Sequence, residues 1–113
     1  MQILPIIYFL IGLSALAFSQ DVSSLLKSKG CYSCHDVDKS KVGPSYRVIA
    51  KEYKGKADAL KTLVQSITGG SVGKWQGLAS KYGIKVTAFY MPRQPVSKEE
   101  AEKIAKWILS LEK

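Results

Sequence analysis

The sequence predicts an all-α domain of about four helices with a short extra helix, and three observations carry that reading. Four segments repeat apolar residues at the three- and four-residue spacing of a helix face. Glycines and a capping box mark where those segments stop and start. After Cys34 no stretch reads as a buried strand followed by a crossover helix.

The chain has 113 residues, enough for one small domain. Ile3 to Phe18 is almost continuously apolar, and Ala17-Phe18-Ser19 places small residues at the −3 and −1 positions of a cleavage site. Residues 1–19 therefore read as a secretory signal peptide and 20–113 as the domain. One feature departs from that pattern: no Lys or Arg precedes the apolar run. The alternative is an uncleaved membrane anchor, for which the run is short of the roughly 20 residues a spanning helix needs.

The first helix is expected from Asp21 as N-cap, with Val22, Leu25 and Leu26 on one face. The second covers about 45–53, with Tyr46, Ile49, Ala50 and Tyr53 in register and Gly55 as the stop. The third covers about 57–68, with Leu60, Leu63, Val64 and Ile67 in register, ended by Gly69-Gly70. The fourth is the clearest. Ser97 and Glu100 form an S-x-x-E capping box, with Val96 and Ala101 at the staple positions. Ala101, Ile104, Ala105, Ile108 and Leu111 form its stripe, and Glu99 and Glu100 suit the positive end of its dipole. Trp107, at the margin, is expected to pack against the first helix. The long connection from Gly69 to Pro95 holds a short extra helix near 76–82, with Ile84 to Thr87 able to run extended.

Cys31-Tyr32-Ser33-Cys34-His35 carries the chemistry. C-x-x-C-H is the attachment signature of c-type haem. Two thiols one helical turn apart match two vinyl groups and form two thioethers, and the next residue offers its imidazole to the iron from the same face. A thioredoxin-like redox pair needs a βαβ context, and structural zinc needs four ligands. The chain has two Cys and one His, so the usual zinc sets cannot be completed. A covalent haem also gives a small domain a large apolar surface to pack on, so one haem c is expected to be structural as well as functional.

The sixth ligand follows by elimination. His35 is the one histidine, and the methionines are Met1, within the leader, and Met91. Met91 sits in Tyr90-Met91-Pro92, where Pro92 restricts it to extended backbone and stiffens the loop. Lys ligation, an open iron position, or Met91 as a core filler are the alternatives.

Taken together, C-Y-S-C-H, then V-G-P-S-Y-R, a Trp75, Y-M-P-R-Q-P-V and a K-W-I-L-S terminal helix resemble class I cytochrome c, in particular the small bacterial soluble monohaem carriers. The resemblance covers the whole mature chain. It implies a fold in which the first and last helices cross beside the haem. It implies that the Pro44 carbonyl accepts a hydrogen bond from His35 Nδ1, fixing the ring and raising its basicity. It places Arg47 and Trp75 near the haem propionates, and Gln94 where relatives carry a polar group able to reach the Met sulfur. The chain departs from it in the long connection between Trp75 and Met91, which is short in relatives with the W…M-P pattern.

The function so implied is one-electron transfer in the periplasm, with no catalytic residue, by a monomer. Partners would be membrane or periplasmic redox proteins such as a cytochrome bc complex and a terminal oxidase, with acidic docking faces. The charge agrees: 17 Lys and Arg stand against 9 Asp and Glu, all after Gln20, and Lys27, Lys29, Lys39 and Lys41 flank the haem motif. Nucleic acid, the other partner a basic chain suggests, is disfavoured by export. The rival classes are an enzyme or gas-binding haem protein with an open iron position, and a subunit docked permanently in an enzyme complex. A second His for acid–base work is missing from the chain.

Overall fold

A computed structural model describes residues 22–112. The leader assigned to 1–19 and the N-cap assigned to Asp21 lie outside the described residues. Helix α1 covers 22–28 of them. A 3₁₀ turn, Cys31–Ser33, follows, then α2 (Tyr46–Tyr53), α3 (Ala59–Gly69), strand β1 (Ser71–Val72), α4 (Lys74–Tyr82), strand β2 (Tyr90–Met91) and α5 (Lys98–Ser110). Among the described residues no helix is long and apolar enough to cross a membrane.

The helices form where their stripes and caps place them. Ser45 caps α2, its hydroxyl accepting from Val48 N at 3.2 Å. The α5 capping box is complete: Ser97 Oγ accepts from Glu100 N at 3.1 Å, and Glu100 Oε1 accepts from Ser97 N at 2.8 Å. Two donors that the helix start leaves without partners are thereby satisfied. The stripes meet in one core: Val22 and Leu26 of α1, Ile49 and Ala50 of α2, Leu63 and Ile67 of α3, and Ala101, Ile104, Ala105 and Ile108 of α5. Helix α5 packs on both α3 and α2. Trp107 packs against the core, but the ring contact it makes is with Tyr46 of α2, edge-on at 5.2 Å, where the sequence suggested the first helix.

Two features differ from the expectation. The extra helix begins at Lys74, earlier than the residues near 76 that the sequence suggested, because Gly73 at φ 78 turns the chain directly into it. The connection also contains a two-stranded antiparallel ladder, Ser71 opposite Met91 and Val72 opposite Tyr90. Strands of two residues show no alternation to read.

Helix α4 is fastened to α2 rather than left loose. Lys81 Nζ and Tyr82 Oη both donate to Glu52 Oε1, at 2.7 and 3.0 Å, while Lys56 donates to Oε2 at 2.9 Å. These donors hold the Glu52 carboxyl down at about 2, the Lys81 bond contributing most and the Lys56 bond next. Beyond α4 the chain returns along residues 41–42, with Thr87 N and Ala88 N donating to the Val42 carbonyl at 3.2 and 3.1 Å. The long connection thus runs back across the domain to deliver Met91.

Candidate functional site: a haem cavity

Gly30, at φ 74, ends the segment after α1 and starts the tight turn that carries both cysteines. Ser33 N donates to Gly30 O, and Cys34 N and His35 N both donate to Cys31 O, at 3.0, 3.2 and 3.0 Å. In a 3₁₀ turn residues three apart eclipse one another. Cys31 and Cys34 therefore share a face, as two thioethers to one macrocycle require. Neither is in a disulfide, both are half-buried, and both line one cavity.

That cavity occupies about 850 Å³ including its open mouth, within the range of small-molecule and cofactor sites. Its walls are the inner faces of the helices: Ile49, Leu63, Ile67, Leu78, Ile104 and Ile108 among others. His35, Trp75 and Met91 line it too, with Pro92 and Gln94. The structure thus brings together Cys31, Cys34, His35, Trp75 and Met91, residues far apart in the chain.

His35 is 6 % exposed, and its Nδ1 pairs with the Pro44 carbonyl at 2.7 Å. With Nδ1 donating there, Nε2 is the nitrogen left to bind metal. Burial pulls the imidazole below its ordinary pKa, the Pro44 bond opposes that, and the Lys41 charge adds to the lowering. The neutral ring that a metal requires is therefore the form present at neutral pH. Trp75 meets His35 edge-on at 5.2 Å, and Tyr46 lies 5.3 Å from it on another side. Gly43 is what lets these rings reach the backbone: a Cβ there would stand 2.7 Å from His35 Cε1 and 2.9 Å from Trp75 Cη2.

Met91, which lines the same cavity, lies in β2, extended as Pro92 demands. Pro92 itself is followed by a brace: Gln94 N donates to Ile67 O at 2.9 Å, and Gln94 Nε2 donates to Pro92 O at 2.7 Å. The Gln94 amide therefore stiffens the methionine loop through a backbone carbonyl, in place of the expected reach toward sulfur. Arg47 is not brought to the cavity. Its guanidinium pairs with Asp38, in the loop before α2, and reaches the Leu111 carbonyl at 3.4 Å. The exposed carboxylate nearby draws the side chain outward. Trp75 is in the cavity, placed against the imidazole.

Sequence reasoning missed three contributors. Tyr46, read as a core residue, also lines the cavity. Its hydroxyl is buried without a hydrogen bond of good geometry and within electrostatic reach of Cys31. Burial is the main cause that pushes its pKa up, so the hydroxyl stays neutral. Ser71 lines the cavity opposite Met91. Gly43 had a visible signal, since it stands in the V-G-P run. Among the described residues no group of three or more His, Cys, Asp or Glu is placed to hold a metal ion, which leaves the zinc alternative without support.

Comparison with known proteins agrees with this geometry. The cytochrome c family model matches residues 19–112. Cytochrome c2 of Rhodocyclus tenuis is 42 % identical over 91 residues, spanning 80 % of this chain and 92 % of the relative. Cytochrome c-552 of Hydrogenobacter thermophilus is 38 % identical over 101 residues, spanning 89 % and 90 %. The crystal structure of wild-type Nitrosomonas europaea cytochrome c552 superposes with a TM-score of 0.66 at 35 % identity, covering 80 % of this chain and 99 % of that one. The chain belongs to the cytochrome c family, as a small class I monohaem member with the all-α fold of that class. It carries one covalently attached haem c, for which Cys31 and Cys34 supply the C-x-x-C-H motif, and it is a haem c electron carrier.

Proposed function

We propose that the chain is a periplasmic, monomeric one-electron carrier, with His35 and Met91 as the axial pair and respiratory redox proteins as partners. The observation that carries the reading is that His35 and Met91 line one cavity with both cysteines, while Pro44 occupies the other imidazole nitrogen. Haem, when bound, supplies the one-electron iron couple. Cys31 and Cys34 keep it from dissociating. His35 is held in one tautomer and one orientation by Pro44 and its ring neighbours. Met91, a soft and weak ligand, depends on the braced loop for its persistence, and a methionine ligand favours the ferrous form. The apolar helix faces exclude water from the group.

A red-region charge-transfer band in the oxidised protein tests the axial pair, since it reports the methionine–iron bond. Its absence from the folded holoprotein would remove the reading. Export rests on the apolar start and Ala17-Phe18-Ser19. Mass spectrometry of the native protein is expected to find a soluble chain starting near Gln20. An intact Met1–Ser19 in the membrane fraction would make it an anchored carrier.

The basic balance of the chain supports acidic partners such as a cytochrome bc complex and a terminal oxidase. The electron-transfer rate with an acidic redox protein is expected to fall as salt rises.

A further inference from the structure

The haem cavity is walled by apolar and neutral side chains, with one exception. Among the described residues that line it, Lys74 alone carries a full charge at neutral pH. A second polar residue holds it there. Ser66 stands on the apolar face of α3 with Leu63 and Ile67, and it is itself buried. Lys74 Nζ donates to Ser66 Oγ at 3.0 Å. The lysine as a whole is exposed, so its ammonium stands at the mouth of the cavity and not deep within it.

That mouth opens in a defined direction. Tyr53, Lys74 and Leu78 line the haem cavity and also a shallow cleft between α2, α3 and α4. The carboxylate of that cleft, Glu52, is already engaged by Lys81, Tyr82 and Lys56. The ion pairs of the described residues do not include Lys74. An ammonium carries three donors, and the Ser66 bond uses one of them. The Ser66 hydroxyl accepts in that bond and keeps its own proton to donate.

A haem brings two propionate carboxylates, on the edge away from its vinyl groups, and the cysteine turn claims the vinyl edge. A carboxylate left unpaired among apolar helix faces is costly, so a propionate must reach a polar opening. Arg47, the residue that resemblance assigned to this task, is turned away to Asp38 and the Leu111 carbonyl. We infer that a haem propionate leaves the cavity at the cleft between Tyr53 and Leu78 and pairs there with Lys74 Nζ and Ser66 Oγ. This rests on the covalent haem alone and stands whether or not Met91 is the sixth ligand. It also gives the long connection a task. Lys74 opens α4, the rest of that helix lies within the connection, and the bonds to Glu52 pin it against α2. The helix is thus one wall of the propionate cleft. Reduction adds one electron to the iron and makes or breaks no bond. A cation beside the propionate offsets its negative charge and favours the state that holds the extra electron. Lys74 is therefore a positioning residue that acts on the iron through the propionate.

The test uses the holoprotein with its propionate carboxyls labelled with carbon-13, by growth on δ-aminolevulinic acid labelled at its own carboxyl carbon. Nuclear magnetic resonance then follows each propionate through a pH titration, and a redox titration follows the iron. Lys74→Gln is expected to raise the midpoint of one propionate carboxyl by about one pH unit, the sign that loss of a neighbouring cation requires. It is also expected to weaken the equilibrium for reduction about threefold, roughly half of the 59 mV that a tenfold change represents for one electron. Lys74→Arg should restore most of both, and Ser66→Ala should move both in the same direction by less. Arg47→Gln should leave both as in wild type. The visible bands of axial ligation should be the same in every variant. Propionate midpoints unmoved in Lys74→Gln overturn the inference, whether Arg47→Gln moves one instead or no variant does. Axial bands altered in Lys74→Gln would place the ammonium at the iron and also overturn it. If Lys74→Gln yields no holoprotein, Ser66→Ala against Arg47→Gln carries the same comparison.

Discussion

A Cβ on Gly70 would stand 2.8 Å from the carbonyl oxygen of Met91. Gly70 follows the last residue of α3 at φ 80, a region side chains other than glycine rarely adopt. The helix end and the methionine loop therefore meet backbone to backbone. Gly70→Ala is expected to strain both the turn and the loop, destabilising the fold by about 1–2 kcal/mol. The specific sign is at the metal: the charge-transfer band should weaken while covalent haem remains. An undiminished band in Gly70→Ala would show that the loop shifts without cost to Met91.

The Glu52 cluster gives a pH prediction. Its carboxyl is held at about 2, chiefly by the Lys81 bond and then by Lys56, against about 4.3 in an unfolded chain. The folded value is depressed, so its contribution is complete above the unfolded value and disappears as pH falls through the folded one. Lys81 is shifted up by the same bond, so its share is lost only as alkaline pH rises through that raised value. Glu52→Gln should therefore lower the thermal midpoint by a constant few degrees across neutral pH. The gap should shrink to less than half by about pH 3. A gap that stays the same at acid and neutral pH would mean that Glu52 acts by packing, not charge.

How much of this was legible depends on range. The stripes of α2, α3 and α5 and the Ser97–Glu100 box are local signals, written within one or two helical turns, and the structure follows them. The cysteine pair with His35 is local too, as is Pro92 forcing Met91 to extend. The Pro44 acceptor came from resemblance and appears as a 2.7 Å contact. What was hidden is non-local. Asp38 pairs with Arg47 across a loop, and Ile67 fixes Gln94 from another helix. The Ser71–Met91 pairing joins two segments too short to show a period. Tyr46 was readable as buried, but its place beside His35 depends on how α2 meets the cysteine turn.

Covalent attachment is testable at each sulfur. Cys31 and Cys34 share a face of the 3₁₀ turn and both reach the cavity. Haem in the wild type is expected to survive acid–organic extraction. Cys31→Ala should leave one thioether, through Cys34, and a pyridine haemochrome spectrum shifted accordingly. Free extraction of haem from wild type would be incompatible with the attachment motif acting as assigned.

Met91→Ala separates a carrier from an enzyme. With Met91 bound, both axial positions are filled, and a small ligand must displace a thioether before it reaches the iron. A bond to sulfur is weak, so under this proposal it would depend on β2, Pro92 and the Gln94 brace, which hold the methionine loop at the cavity. Removing it opens the sixth position to water or a nearby lysine. The charge-transfer band should vanish and the reduction potential should fall, because methionine ligation favours the ferrous state. Carbon monoxide should then bind the ferrous variant rapidly and the wild type slowly. Haem should stay attached, since Cys31, Cys34 and His35 are untouched. The decisive comparison is the carbon monoxide rate: if wild type binds as fast as Met91→Ala, the iron was open from the start, and the chain would be a ligand-binding or catalytic haem protein in place of a carrier.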